Sequence, residues 1–65
     1  MTVVVNGDLR EIAARDIAQL VSELGLPPEV ALVEHNGMAL RRNEWTAHPL
    51  QEGDRLEIIR IVAGG

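Results

Sequence analysis

One short stretch has the spacing of an amphipathic helix, and strand-like runs with Asn-Gly turns lie on both sides of it. Between Asp16 and Leu24, aliphatic residues recur at the i, i+3, i+4 and i+7 positions: Ile17, Leu20, Val21 and Leu24. This spacing places them on one face of a helix. A chain of 65 residues forms one small domain, so we expect this helix to cover one face of a small sheet.

Both ends of this helix have the residues that start and stop helices. Asp16 is a natural N-cap, and Gln19 three residues later can complete a capping box. Gly25 occupies the position where a left-handed residue ends a helix, and Pro27-Pro28 prevent the helix from resuming. The sequence therefore predicts a helix over residues 16–24.

The N-terminal residues predict a β-hairpin. Two strand-like runs, Met1 to Val5 and Leu9 to Ala13, are joined by Asn6-Gly7, the dipeptide that best supplies the positive φ angles of a tight turn. Successive side chains of a strand point to opposite faces. We therefore expect the core face of the first strand to carry Met1, Val3 and Val5, with Thr2 and Val4 on the other face.

A second hairpin follows the helix. The run from Val30 to Glu34 predicts a strand, and Asn36-Gly37 predicts another tight turn into a short return segment, Met38 to Arg41. Beyond it, Glu44 and Trp45 can occupy a single helical turn that tucks the only aromatic side chain against the sheet.

The order of the elements predicts the architecture. A turn at Glu52-Gly53-Asp54 leads into a last strand from Arg55 to Val62. Strand, strand, helix, strand, short strand and strand predict an α+β domain over residues 1–65, a single β-grasp with one helix packed across a mixed sheet of four to five strands. We expect the first and last strands to be parallel neighbours at its centre.

Composition excludes several classes of function. The chain has no cysteine, which excludes disulfides, thiolate nucleophiles and zinc sites built on sulfur. Its formal net charge of -4 would repel a phosphate backbone, so nucleic acid is a poor partner. A domain this small has no room for a deep cleft, so we expect it not to be an enzyme. The N-terminus lacks signal-peptide features and no run is long enough to span a membrane, which favours a soluble cytoplasmic protein without membrane contacts.

Aliphatic side chains occur on both faces of the last strand. Leu56 and Ile58 alternate onto one face, whereas Ile59 and Ile61 alternate onto the other. One helix covers only one face, so the second set predicts an exposed apolar surface of the kind that binds partner proteins. The predicted interface consists of Val4, Ile59, Arg60, Ile61 and Val62. The alternative is that Trp45 and adjacent loops cover this face.

The last three residues, Ala63, Gly64 and Gly65, are expected to form a flexible tail that is thin enough to enter another protein's active site. The α-carboxylate of Gly65 is ionised at neutral pH and can attack the α-phosphate of ATP to give an acyl adenylate. A sulfur nucleophile can then displace AMP and leave a thiocarboxylate. Taken alone, a terminal Gly-Gly pair is a weak indication of this chemistry.

In its context, the segment from Glu52 to Gly65 resembles the C-terminal signature of the ThiS family, the sulfur carriers of thiamine biosynthesis. The resemblance extends over nearly the whole chain. It includes Val5-Asn6-Gly7, the turn from Val33 to Gly37, and Arg42 to Trp45, which is similar to the family's Arg-x-x-Trp segment. His35 is a departure, because a small or apolar residue is expected there in relatives.

The resemblance implies a ubiquitin-like carrier that binds no cofactor itself. An E1-like, ThiF-like adenylyltransferase would use ATP and Mg to adenylate the Gly65 carboxylate, and a sulfur donor protein would supply the sulfur of the thiocarboxylate. A ThiG-like thiazole synthase would accept it. Two alternatives stay open: the related small subunit of molybdopterin synthase, and a ubiquitin-like interaction module that binds through Ile59 and Ile61 without terminal chemistry.

Histidines and carboxylates elsewhere are weaker candidates for a metal or acid-base site. His35 and His48 each lie beside a turn without cysteine or clustered carboxylates, so we expect solvated loop histidines. Glu52 and Asp54 flank a turn glycine and Glu57 follows on an alternating strand, which provides no fixed cage for magnesium. We therefore predict no metal site and no catalytic side chain.

Overall fold

The computed structural model describes residues 1–62 and contains five strands and one α-helix. In chain order the elements are β1 (Thr2–Val5), β2 (Asp8–Glu11), α1 (Ile17–Glu23), β3 (Ala31–His35), β4 (Met38–Leu40) and β5 (Arg55–Arg60), with 3-10 helical turns over Pro28–Val30 and Arg42–Ala47. The predicted helical turn around Glu44 and Trp45 is the second of these.

Both Asn-Gly pairs form the predicted turns. Asn6 and Gly7 have φ angles of 51° and 87°, and Asn36 and Gly37 have φ angles of 51° and 86°. Asparagine and glycine tolerate this left-handed region better than other residues, which is why these dipeptides suit two-residue hairpin turns. The first turn joins β1 to β2 and the second joins β3 to β4 as antiparallel pairs.

The five strands form one mixed sheet in the order β2-β1-β5-β3-β4. β1 and β5 are parallel neighbours at its centre, and β5 is antiparallel to β3 on its other side. A single helix crosses this sheet, so the α+β prediction and the β-grasp architecture are confirmed. The prediction that the first and last strands are parallel neighbours at the centre of the sheet is also confirmed.

The helix has the predicted caps, with one difference. The Asp16 Oδ1 atom accepts a hydrogen bond from the Gln19 backbone N–H at 2.8 Å, as expected of an N-cap. The Gln19 side chain accepts from the Arg15 N–H at 2.7 Å, one residue before the position that a capping box uses. Leu24 is the C-cap and Gly25 has a φ of 77°.

The core lies between α1 and one face of the sheet. Its members are Val3, Val5, Ile12, Ala14, Ile17, Leu20, Val21, Ala31, Val33, Leu40, Trp45, Leu50, Leu56 and Ile58. The prediction that Met1 belongs to this core is wrong, because the residue precedes β1 and its side chain is exposed. Its amino group instead donates to the Ile12 carbonyl at 3.0 Å.

The last strand is shorter than predicted. β5 ends at Arg60, which pairs with Ala31, the first residue of β3. The preceding residues of that neighbour form a 3-10 turn, so no strand continues beside Ile61 and Val62. Beyond the last strand pair, one backbone hydrogen bond still joins the two segments: the Ile61 N–H donates to the Val30 carbonyl at 2.6 Å.

The Asn6 side chain extends the pairing between β1 and β5. Backbone register is defined only for Val4 with Arg55 and Val5 with Leu56. Beyond these pairs, the Asn6 Oδ1 atom accepts from the Ile58 N–H at 2.7 Å, and its Nδ2 atom donates to the Ile58 carbonyl at 3.0 Å. The amide thereby takes the place of the next backbone partner on β1.

We expect Asn6→Asp to lower the free energy of unfolding by about 1–3 kcal/mol, since a carboxylate cannot donate to the Ile58 carbonyl and leaves that acceptor unsatisfied. Urea denaturation at pH 7 measures the change. Asn43→Asp, at an exposed position in the second 3-10 turn, is the matched control and should change stability by less than about 0.5 kcal/mol. Equal stability of the two variants would contradict the role of the amide.

Candidate functional site

The face of the sheet that α1 does not cover carries exposed aliphatic side chains. We call this face the open face. Leu32 on β3 lies directly opposite Ile59 on β5, and their residues are 52% and 59% exposed. Ile61, two positions further along, is also exposed. These three residues, Leu32, Ile59 and Ile61, form the aliphatic strip.

Within residues 1–62, the alternative that Trp45 and adjacent loops cover this surface is wrong, because Leu32, Ile59 and Ile61 are exposed. Trp45 is buried among the core residues, and its 3-10 turn contacts α1 on the opposite face of the sheet. Its indole N–H has no hydrogen-bond partner in this part of the chain. The aliphatic strip is therefore exposed to solvent in the described structure.

The other predicted interface residues lie in different places. Val4 is half-buried and pairs with Arg55, four residues before Ile59, so about 13 Å of strand separates it from the strip. Arg60 alternates with Ile59 and therefore points to the helix side at the end of β5. Val62 is 83% exposed just beyond that strand.

Sequence reasoning did not include Leu32 in the interface. The residue alternates with the buried Ala31 and Val33, so its side chain could have been assigned to the open face from the pattern alone. Its position opposite Ile59 depends on the register of β3 against β5, which the sequence does not specify.

The predicted tail, Ala63 to Gly65, including the adenylation site at the Gly65 carboxylate, lies outside the described residues. These three residues come directly after Val62 in the sequence. Part of the aliphatic strip thus lies on β5, which ends two residues before the tail begins.

The prediction that His35 is a solvated loop residue is wrong. It is the last residue of β3, and its Nε2 atom lies 2.8 Å from the Asp54 Oδ2 atom. The His35 and Asp54 side chains are each 12% exposed. His48 is half-buried, and its ring meets the ring of His35 edge-on with centroids 5.8 Å apart.

Asp54 accepts two further hydrogen bonds. They come from the Asn36 Nδ2 atom at 3.1 Å and from the Gln51 N–H at 2.9 Å. Burial alone would raise the pKa of the Asp54 carboxyl, but the hydrogen bonds from His35, Asn36 and Gln51 favour its charged form more strongly and hold the pKa below its usual value of 3.8. Because the carboxylate is ionised at neutral pH, His35 Nε2 carries the proton that it donates.

This network serves the fold. It joins the turn before β5 to the end of β3, and the Asn36 Oδ1 atom adds a bond from the Arg55 N–H at 2.8 Å. Residues 1–62 form no pocket around it or elsewhere. Among the same residues, no three His, Asp or Glu side chains converge in a way that could hold a metal ion.

The described helix is too short and too polar to cross a membrane.

Glu52, another candidate of the sequence analysis, uses both carboxylate oxygens to accept from the Thr2 N–H at 3.1 Å. The open face is therefore the strongest candidate site in the part of the chain that the structure describes.

We expect Asp54→Asn to lower the free energy of unfolding at pH 7 by about 1–3 kcal/mol, because it disrupts three hydrogen bonds to a buried carboxylate. A carboxyl whose pKa is lower in the folded state stabilises the fold above pH 3.8, and this contribution is lost as the pH falls through the folded pKa. The difference between variant and unaltered protein should therefore shrink below pH 3.8.

Urea denaturation at a series of pH values measures this difference. Asp8→Asn, at an exposed position on β2, is the matched control and should match the unaltered protein at pH 7 within about 0.5 kcal/mol. A constant difference between Asp54→Asn and the unaltered protein from pH 7 to pH 2 would contradict the assigned pKa direction.

Comparisons with known proteins bear on both the fold and the sequence. The chain is similar to a thiamine biosynthesis protein (ThiS) from Geobacter metallireducens, with 29% identity to both its crystal structure and its NMR solution structure. The TM-scores are 0.84 and 0.82. Each match covers all of this chain, together with 100% of the crystallised chain and 88% of the chain studied by NMR.

Two curated relatives are each named thiazole synthase. The protein from Paramagnetospirillum magneticum is 30% identical and the protein from Magnetococcus marinus is 32% identical, each over 66 aligned positions. The alignments cover all of this chain but only 20% of each relative, so the chain spans a fifth of the length of the curated relatives that it matches. The profile of the ThiS family matches residues 3–65, nearly the whole sequence, and the chain therefore belongs to the ThiS family.

Proposed function

We propose that this chain is the sulfur carrier for the thiazole moiety of thiamine, a protein co-substrate on which other enzymes act. The observation that carries the proposal is the match of the ThiS family profile to residues 3–65. The likeness to the Geobacter thiamine biosynthesis protein over the whole chain supports it.

The proposed reaction takes place on the carboxylate of Gly65. A carboxylate oxygen attacks the α-phosphorus of ATP, which releases pyrophosphate and forms an acyl adenylate. A donor protein then supplies sulfur at the oxidation level of sulfide, which attacks the acyl carbon, displaces AMP and leaves the thiocarboxylate and a proton. ATP and Mg belong to the E1-like adenylyltransferase, and this chain binds no cofactor.

The residue types of the tail support this role. Gly64 and Gly65 have no side-chain atoms, and Ala63 has only a methyl group, so the segment can pass through a narrow channel to an active site. Glycine also places no side chain next to the acyl carbon that sulfur must attack. These properties suit a carboxylate that is delivered to more than one enzyme.

Thiazole synthase is the proposed acceptor of the sulfur. A segment similar to this whole chain occurs in two proteins named thiazole synthase and makes up 20% of each. Placing two interacting modules in one polypeptide raises their effective concentration, which favours pairs that act together. This chain would make the equivalent contact as a partner of such an enzyme.

The aliphatic strip is the proposed docking surface for the activating enzyme and the synthase. Leu32 and Ile59 are more than half exposed although they lie on interior strands of the sheet, and exposed aliphatic side chains that lie together mark interaction surfaces. β5 carries Ile59 and precedes the tail in the chain. Docking at the strip therefore holds the start of the tail close to the partner.

We expect Ile59→Asp to reduce adenylation of the carrier at least tenfold, because a carboxylate replaces an anchor at the proposed interface. ATP–pyrophosphate exchange with the activating enzyme measures this step. Ile58→Asp is the matched structural control: it places a charge in the core and should unfold the protein, whereas Ile59→Asp should keep the circular dichroism of the unaltered fold. Full adenylation of a folded Ile59→Asp variant would contradict the assignment of the strip.

We expect the carrier isolated from its own cells to include a fraction with sulfur in place of one oxygen on the peptide that ends at Gly65. Intact and peptide mass spectrometry measure this replacement and show whether Gly65 has a free carboxylate. Incubation with the activating enzyme and a sulfur source should increase the modified fraction only when ATP is present.

Deletion of Gly64-Gly65 separates the competing functions. The carrier should lose all function in the cell, whereas an interaction module would keep both partner binding and function. An unmodified Gly65 after incubation with all components would refute the carrier chemistry. Recovery of the protein only with a molybdopterin synthase large subunit would replace thiazole synthase as the acceptor.

A further inference from the structure

Two glutamates face each other on the open face beside the aliphatic strip. Glu34 on β3 lies directly opposite Glu57 on β5, and the next open-face pair toward the tail is Leu32 with Ile59. Both glutamates are exposed and alternate with buried residues. Side chains directly opposite in an antiparallel pair have Cβ atoms about 5 Å apart, a position in which like charges repel.

No arginine in residues 1–62 lies within ion-pair distance of either glutamate. The ion pairs of that part of the chain comprise only His35 with Asp54, which belong to a separate network. Arg55 lies on the same face two positions before Glu57, but it makes no ion pair there. The formal net charge of -4 adds no compensating field. We therefore expect repulsion between the two carboxylates to reduce the stability of the isolated domain.

We propose that Glu34 and Glu57 together receive one arginine or lysine side chain of thiazole synthase when its surface docks on the aliphatic strip. This inference rests on the proposed function and specifies the chemistry of the partner's surface. The synthase would present a cation next to aliphatic side chains, so that the cation meets the carboxylates while the aliphatic groups cover Leu32 and Ile59.

Desolvation is the reason that the partner must supply a cation. When a partner covers the aliphatic strip, water leaves the neighbouring carboxylates and their repulsion increases in the lower dielectric. A neutral apolar surface would therefore be rejected, whereas a guanidinium group can donate to both carboxylates at once. The pair would select the correct partner by penalising surfaces without this charge.

The stability of the isolated domain provides the first test. We expect Glu34→Gln and Glu57→Gln each to raise Tm by about 2 °C, because either change removes the cross-strand repulsion. The double variant should gain little more, since the repulsion is already absent. Asp8→Asn removes the same charge on the opposite face, where its cross-strand partner Val5 is buried, and should leave Tm unchanged. A decrease of Tm in both single variants would overturn the premise of repulsion.

Binding to the thiazole synthase of the same organism provides the second test, by calorimetry at 50 and 300 mM salt. We expect each Gln variant to bind about tenfold more weakly at 50 mM salt, and Glu57→Arg about a hundredfold more weakly. The affinity of the unaltered chain should fall with salt, whereas that of the double Gln variant should change little. The Asp8→Asn control should behave as the unaltered chain does.

The outcomes separate this inference from the proposed function. If Ile59→Asp abolishes binding while the Gln variants and Glu57→Arg bind normally, the synthase docks on the strip but the assigned role of the carboxylates is wrong. If the unaltered chain does not bind thiazole synthase, the proposed partner is wrong and this inference fails with it. Opposite effects of the Gln variants on Tm and on affinity would support the proposal.

Discussion

The parallel pairing of β1 with β5 is the contact on which the rest of the structure depends. It joins the two ends of the described chain through only two residue pairs, Val4 with Arg55 and Val5 with Leu56. Side chains lengthen this short ladder at both ends: Asn6 pairs with Ile58, and the Glu52 carboxylate accepts from the Thr2 N–H. Closing a chain over this sequence separation costs entropy, and each added bond helps to offset it.

The central position of β5 connects stability to the candidate site. Leu56 and Ile58 on one of its faces are core residues, whereas Glu57 and Ile59 on the other belong to the open face. β5 lies between β1 and β3, so pairing with these neighbours fixes the backbone positions from which its open-face side chains project. A partner that binds this face contacts residues whose backbone is already ordered, which lowers the entropy cost of docking.

Local chemistry explains which parts of the fold the sequence predicted. The helix with its Asp16 cap and the two Asn-Gly hairpins depend on neighbouring residues, and the central parallel pair followed from chain connectivity. The features that were predicted wrongly or overlooked depend on contacts between residues that are distant in the sequence. His35 was misassigned because its partner Asp54 is 19 positions away, and the opposition of Leu32 to Ile59 depends on strand register. The end of β5 depends on where β3 begins.

The open face combines exposed aliphatic side chains with two facing carboxylates, a composition that suits contact with another protein. Carboxylates elsewhere in the domain are hydrogen-bonded: Glu23 accepts from the Ala13 and Ala14 N–H groups, and Asp54 accepts three hydrogen bonds. The open face instead presents unpaired carboxylates beside exposed aliphatic side chains. Small domains have little stability to spare. A surface of this composition therefore suits a partner that supplies a cation to the carboxylates and covers the aliphatic groups.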